Sequence, residues 1–176
     1  NFAVEVIDQR KEIAIISEMS HPDLGAMKRA IESNAQRKVT IVKLNEINDL
    51  KKYNVLVLYQ PTASFKKLFE ANKNVNINTF IVTGMATDFN FLNQMQSDLT
   101  FKLTNKKEDF TASFVSDFNL FAQSDIQFSQ FPPLENPFGK ITEKGSVNTL
   151  LNAKVNGIEV GNPILKKKKK GSNRNA

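Results

Sequence analysis

Four short apolar runs, separated by segments with helical spacing, organise the first half of the chain. Ile13-Ala14-Ile15-Ile16-Ser17 is the first, and Leu24, Met27 and Ile31 follow it at the spacing of one helix face. Val39 to Val42 and Val55 to Tyr59 are the second and third runs; Phe65, Leu68 and Phe69 mark a second helix. Thr79 to Thr83 is the fourth run, followed by a weaker helical pattern through Phe89, Leu92, Met95 and Gln96. Runs that are apolar on both faces belong in the middle of a parallel sheet with helices on each side. Right-handed crossovers follow. The pattern predicts a doubly wound, mostly parallel α/β sheet of Rossmann-like or flavodoxin-like type. Between the second and third runs there is no room for a full crossover helix, and a single turn around Asp49-Leu50-Lys51-Lys52 is expected in its place.

The flanks read differently. Residues 1–8 alternate Phe2, Val4 and Val6 against Ala3, Glu5 and Ile7, which predicts a short strand. The polar stretch Asp8-Gln9-Arg10-Lys11 breaks it, so residues 1–9 are assigned to a preceding β-rich domain. From residue 98, Phe101, Phe110, Phe114, Phe118, Phe121, Phe128, Phe131 and Phe138 are scattered through polar sequence. Phe131-Pro132-Pro133-Leu134 and Asn136-Pro137-Phe138-Gly139 are turn-forming. Short strands and loops packed by Phe side chains are expected there. Val147 to Leu151 reads as a further strand, and Asn156-Gly157 between two apolar segments predicts a C-terminal hairpin with a type I′ turn.

Charge changes the picture only at one end. The net charge is +6, but six of the 24 Lys and Arg lie in residues 166–176, leaving 18 to balance 18 Asp and Glu. A nucleic-acid-binding fold carries its basic excess on the folded body, so nucleic acid is excluded as an expected partner. Residues 166–176 are read as a disordered basic tail. With no cysteine there is no disulfide, thiolate metal site or cysteine nucleophile. No apolar run reaches the roughly 18 residues of a membrane span. The chain begins at Asn1, with no signal peptide visible, which suggests a fragment of a longer protein.

Chemistry in such sheets sits beyond the carboxyl ends of the strands. After the first strand, Ser20-His21-Pro22-Asp23 resembles a capping box with Ser20 as N-cap and Pro22 in the first turn. His21 is the single histidine, so it cannot build a multi-histidine metal site, and no nucleophile is identifiable for it as a base. After the third strand come Gln60 and Thr62, the latter an N-cap whose helix start could hold an anion. After the fourth, Gly84 permits a sharp strand-to-helix turn where an elbow enzyme would place its nucleophile. Met85 and Ala86 hold that position, and Thr87 and Asp88 read as caps. The candidate ligand-binding residues are therefore Ser20, His21, Gln60, Thr62, Gly84 and Thr87, with no catalytic residue, metal ligand or cofactor expected.

The segments Glu12 to Ser17, His21-Pro22-Asp23-Leu24-Gly25, Tyr53 to Pro61 and Phe80 to Gly84, in that order, resemble the class I glutamine amidotransferase-like superfamily. More closely they resemble the amidotransferase-like segment of large membrane-anchored proteins of Bacteroidetes type that also carry a von Willebrand factor A-like region. Phe131 to Leu134, Pro137-Phe138-Gly139 and Leu150-Leu151 fit the same pattern. The resemblance implies a glutamine amidotransferase-like domain over residues 10–165. The superfamily's cysteine at the elbow, and its histidine and glutamate near the domain end, have no counterparts here; His21-Pro22-Asp23 is similar to a His-Pro-Glu signature but follows the first strand. What the resemblance implies is a non-catalytic ligand-binding or protein-interaction module in a membrane-anchored parent, in the periplasm, with the cytoplasm as the alternative compartment. Its partners would be other domains of that parent, or a protein or small molecule. The alternative is a hydrolase of trehalose-utilisation-like type working at the same loops without cysteine.

Overall fold

The computed structural model describes residues 10–118, 125–144 and 148–167. The strand expected in residues 1–9, and the basic tail from residue 168, lie outside them. The chain divides into two units, residues 1–88 and 89–176.

The first unit is a four-stranded parallel sheet in the order β2-β1-β3-β4. Its strands are β1 (Lys11–Ile16), β2 (Arg37–Val42), β3 (Val55–Tyr59) and β4 (Asn78–Val82). The two strands with the longest apolar runs take the centre: Ala14, Ile15 and Ile16 of β1 and Leu56 to Tyr59 of β3 are buried on both faces. The edge strands are mixed, and Ile41 of β2 and Phe80 of β4 stay exposed. Helix α1 (Pro22–Glu32) crosses from β1 to β2. Leu24, Met27 and Ile31 pack it on Ile13, Ile15, Val39, Val57 and Tyr59. Burying one such aliphatic side chain contributes about 1.5–3 kcal/mol. Ala14, Ile16, Leu56 and Leu58 alternate to the opposite face. Right-handed crossovers bring the other two connections there. One is a pair of 3-10 turns, Leu44–Glu46 and Leu50–Lys52, where a single turn was expected. The other carries helix α2 (Lys66–Val75), which ends on Asn76 in the left-handed conformation.

The second unit opens with the short helix α3 (Phe89–Met95) and continues as a four-stranded antiparallel sheet in the order β6-β5-β7-β8. The strands are β5 (Leu99–Phe114), β6 (Leu134–Glu143), β7 (Asn148–Val155) and β8 (Ile158–Lys167). β5 pairs with β6 as far as Phe110 and with β7 from Thr111, and its ladder slips between Leu103 and Lys107. β7 and β8 form the hairpin at Asn156-Gly157, both at positive φ (50° and 79°) as a type I′ turn requires. Phe101, Phe110, Leu150, Leu151 and Ala153 are among the buried residues of this sheet. Phe128 stacks on Phe114 and meets Phe131 edge-on. Asn162 of β8 reaches β6: its amide donates to Gly139 O (2.7 Å) and its carbonyl accepts from Ile141 N (3.1 Å).

The doubly wound, mostly parallel sheet with a C-terminal hairpin is therefore corrected. Parallel pairing stops at β4, and the hairpin belongs to a separate antiparallel sheet. The physical reason lies after Asp88, where continuous apolar runs give way to alternating ones. A strand apolar on one face only suits an antiparallel sheet joined by tight turns. Lys166 and Lys167, read as the start of the tail, lie in β8 opposite Thr149 and Asn148, and Lys166 pairs with Glu143 of β6.

Candidate functional site

In the first sheet the chain steps from β1 to β2, then crosses back to β3 on the other side of β1. The crevice at such a reversal is where open parallel sheets bind ligands. It falls between the loops that follow β1 and β3, and the β3 loop adjoins the loop after β4.

The loop after β1 is folded tightly by Ser17, whose buried Oγ accepts from Met19 N (3.2 Å) and donates to Met19 O (2.8 Å). Glu18 turns away to accept from Leu44 N, and the Met19 side chain projects outward. The N-cap of α1 is His21 and not Ser20: His21 is extended (φ −146°, ψ 142°) and its Nδ1 accepts from Asp23 N at 3.3 Å. Ser20 stands exposed one residue earlier. Pro22 occupies the first helical turn, where its missing N–H costs nothing.

Tyr59 closes β3. Its ring is buried, its hydroxyl donates to Asp23 Oδ2 (3.0 Å), and the His21 ring lies over it at 5.7 Å, tilted by 35°. Burial pushes the phenol's pKa above its ordinary value; a hydrogen bond from the Gln60 side chain opposes this and the Asp23 carboxylate adds to it. Gln60 itself adopts positive φ (45°), uncommon for a residue with a side chain. That turn sends its carboxamide toward the β4 loop, where Oε1 accepts from Ala86 N at 2.8 Å.

The β4 loop is closed on itself. Gly84 N donates to Thr87 Oγ1 (2.9 Å), Thr87 N donates back to Gly84 O (3.1 Å), and Thr87 is buried. Asp88 N donates to Pro61 O, fastening this loop to the β3 loop. A Cβ on Gly84 would lie 2.8 Å from Gln60 Cδ, so a glycine is what admits the carboxamide. Met85 is left projecting.

Of the residues singled out from the sequence, His21, Gln60, Gly84 and Thr87 thus join one contact series through Tyr59. Ser20 and Thr62 do not. Thr62 heads the 3-10 turn Ala63–Phe65 without a side-chain cap, and its hydroxyl bonds Ser64 Oγ instead (2.9 Å). His21 and Thr87 lie on loops with the β3 loop between them, and the Thr87 oxygen is engaged by Gly84. Sequence reasoning missed Tyr59 and the role of Asp23. The available signal was a tyrosine ending an apolar run beside the crevice, since a buried phenol needs a partner. Among the described residues no group of three or more His, Cys, Asp or Glu is placed to hold a metal ion, and no helix is long and apolar enough to cross a membrane. In comparisons with known proteins, no family model, no curated protein and no solved structure matches the chain.

Proposed function

We propose that the carboxyl-end loops of the first sheet form a non-catalytic binding face, by which the chain acts as a ligand-binding or protein-interaction module of a larger protein. One observation carries this reading. The polar groups of Gln60, Gly84 and Thr87 are closed on one another, while the large apolar side chains exposed at the same end are Met19 and Met85. Methionine is unbranched and polarizable, and it adapts to apolar partners. The amidotransferase-like resemblance supports the reading through its departures, because Met85 and Ala86 stand where an elbow enzyme places its nucleophile and neither side chain can attack a carbonyl. On that resemblance also rest the proposals of a membrane-anchored parent, a periplasmic setting and partner domains within the parent.

A second reading, hydrolysis at the same loops, has the His21–Asp23 contact of 3.3 Å in its favour, since a carboxylate beside an imidazole can orient it as a base. Turnover of glutamine and of a nitrophenyl ester by the purified chain, beside Thr87→Ala and His21→Ala, separates the two. Background rates in all three are expected. Activity in the wild type that disappears in both variants would establish the hydrolase in place of the binding module.

A further inference from the structure

We infer that His21 is a proton-operated cap, which couples the protonation of one imidazole to the arrangement of all three carboxyl-end loops. The capping atom is an imidazole nitrogen. His21 Nδ1 accepts from Asp23 N at 3.3 Å, which requires a lone pair on Nδ1 and puts the neutral ring's proton on Nε2. The Asp23 carboxylate lies at the same nitrogen, with Oδ2 also 3.3 Å away. A proton taken from solvent onto Nδ1 turns the acceptor into a donor. The contact with Asp23 N becomes donor against donor and is lost, while the contact with Asp23 Oδ2 becomes a charge-assisted hydrogen bond. One atom thus holds two mutually exclusive partners on one residue, and protonation selects between them.

Two effects act on the imidazolium in opposite directions. A cation at a helix N-terminus is disfavoured by the helix dipole, and a cation beside a carboxylate is favoured. What changes is the geometry. Asp23 Oδ2 is also the acceptor for the buried Tyr59 hydroxyl. Gln60, the next residue along the chain, holds Ala86 N through its Oε1. A carboxylate drawn toward an imidazolium is a weaker acceptor for the phenol, and the change passes from Tyr59 to the adjoining Gln60 and so from the β1 loop to the β4 loop. Among the described residues, the ionisable groups in contact with the His21 ring are Asp23 on its own helix and Tyr59 from β3; Glu18, in the same loop, has its carboxylate on Leu44 N. Tyr59 stays protonated throughout the range in which imidazoles titrate, since burial raises its pKa. The switch is a property of the loops themselves, so its failure and the failure of the binding-face reading are distinguishable.

The chain has one histidine, so the test is a one-proton experiment on the whole protein. Amide resonances of Asp23 and Ala86 are followed from about pH 8 to 5.5, the window in which an imidazole changes charge, together with the His21 ring protons. Both amides are expected to shift with the midpoint of the ring. In His21→Asn, which keeps a good N-cap that cannot titrate, both are expected to be flat. In Tyr59→Phe, Asp23 should still titrate and Ala86 should not. An Asp23 amide indifferent to the ring's titration overturns the cap exchange. An Ala86 amide that is flat in the wild type, or that still moves in Tyr59→Phe, overturns the coupling.

Discussion

The carboxamide of Gln60 fills the space that a side chain on Gly84 would need: a Cβ there would lie 2.8 Å from Gln60 Cδ and 2.9 Å from both Nε2 and Oε1. The obstructing atoms are the far end of a flexible side chain, so Gly84→Ala is survivable. The carboxamide swings out and its bond to Ala86 N is lost. The expected loss is about 0.5–1.5 kcal/mol, the net worth of a typical hydrogen bond. Gln60→Ala removes the same bond, so Gly84→Ala should be nearly neutral in that background. Both tyrosines, Tyr53 and Tyr59, lie in the first unit and there is no tryptophan, so tyrosine fluorescence in a urea titration reads this unit. Losses that add to within about 0.3–0.5 kcal/mol would show that the two residues are independent.

Gly139 in the second sheet has no such tolerance. It sits at φ 150°, and a Cβ there would meet Lys102 O at 2.3 Å and Leu103 Cα at 2.8 Å, both backbone atoms of the paired strand. Neither can swing aside, so Gly139→Ala should cost about 1–3 kcal/mol through overlap, with the positive φ adding to it. Asn162→Ala attacks the same region differently. It removes both hydrogen bonds to β6 and leaves Gly139 O and Ile141 N without that partner, at about 1–3 kcal/mol. Thermal melts followed by far-ultraviolet circular dichroism measure both losses. An Asn162→Ala protein as stable as the wild type would mean that water takes the amide's place.

Tyr59 gives the chain an alkaline limit. Burial holds the phenol's pKa above its ordinary value in the folded state. An unfolded phenol loses its proton near pH 10. Stability attached to this group is therefore complete below about pH 10 and falls as pH rises from there through the folded value, because the unfolded chain releases the proton first. Unfolding free energy measured from about pH 9 upward should decline less steeply in Tyr59→Phe than in Tyr53→Phe. Equal slopes in the two variants would contradict the assignment.

How much of this was legible follows from how each part is encoded. The strands of the first sheet are written as unbroken apolar runs, and Ile13–Ile16 and Val55–Tyr59 were readable because burial on both faces leaves no alternative pattern. Strand β5 was not readable, and its bulge explains why. Its apolar residues fall at Leu99, Phe101 and Leu103, then at Phe110, Ala112 and Phe114, so the alternation changes from odd to even numbers across the slip between Leu103 and Lys107. Each half is too short to outweigh Lys106, Lys107, Glu108 and Asp109 between them. Of the candidate site, the loops could be placed because they follow recognisable strands, and His21, Gln60 and Gly84 were named from that alone. The contacts among them depend on φ at Gln60 and on the reach of Tyr59 to Asp23, 36 residues away in sequence. Neither leaves a periodic trace.

The two-partner strand β5 also sets an order of events for the chain as it folds. Strands β7 and β8 are joined by a two-residue turn, and a hairpin of this kind closes in about 1–10 μs. The pairings of β5 are all distant: Phe101 meets Ile141 and Ala112 meets Ala153. Each requires closure of a long loop before any contact repays the lost freedom. Those two closures cannot help one another until the slip between Leu103 and Lys107 is in place, because the phase of one half does not fix that of the other. The hairpin is then the early, local event. The arrest of β5 between its two neighbours is expected to be the late event within the second sheet.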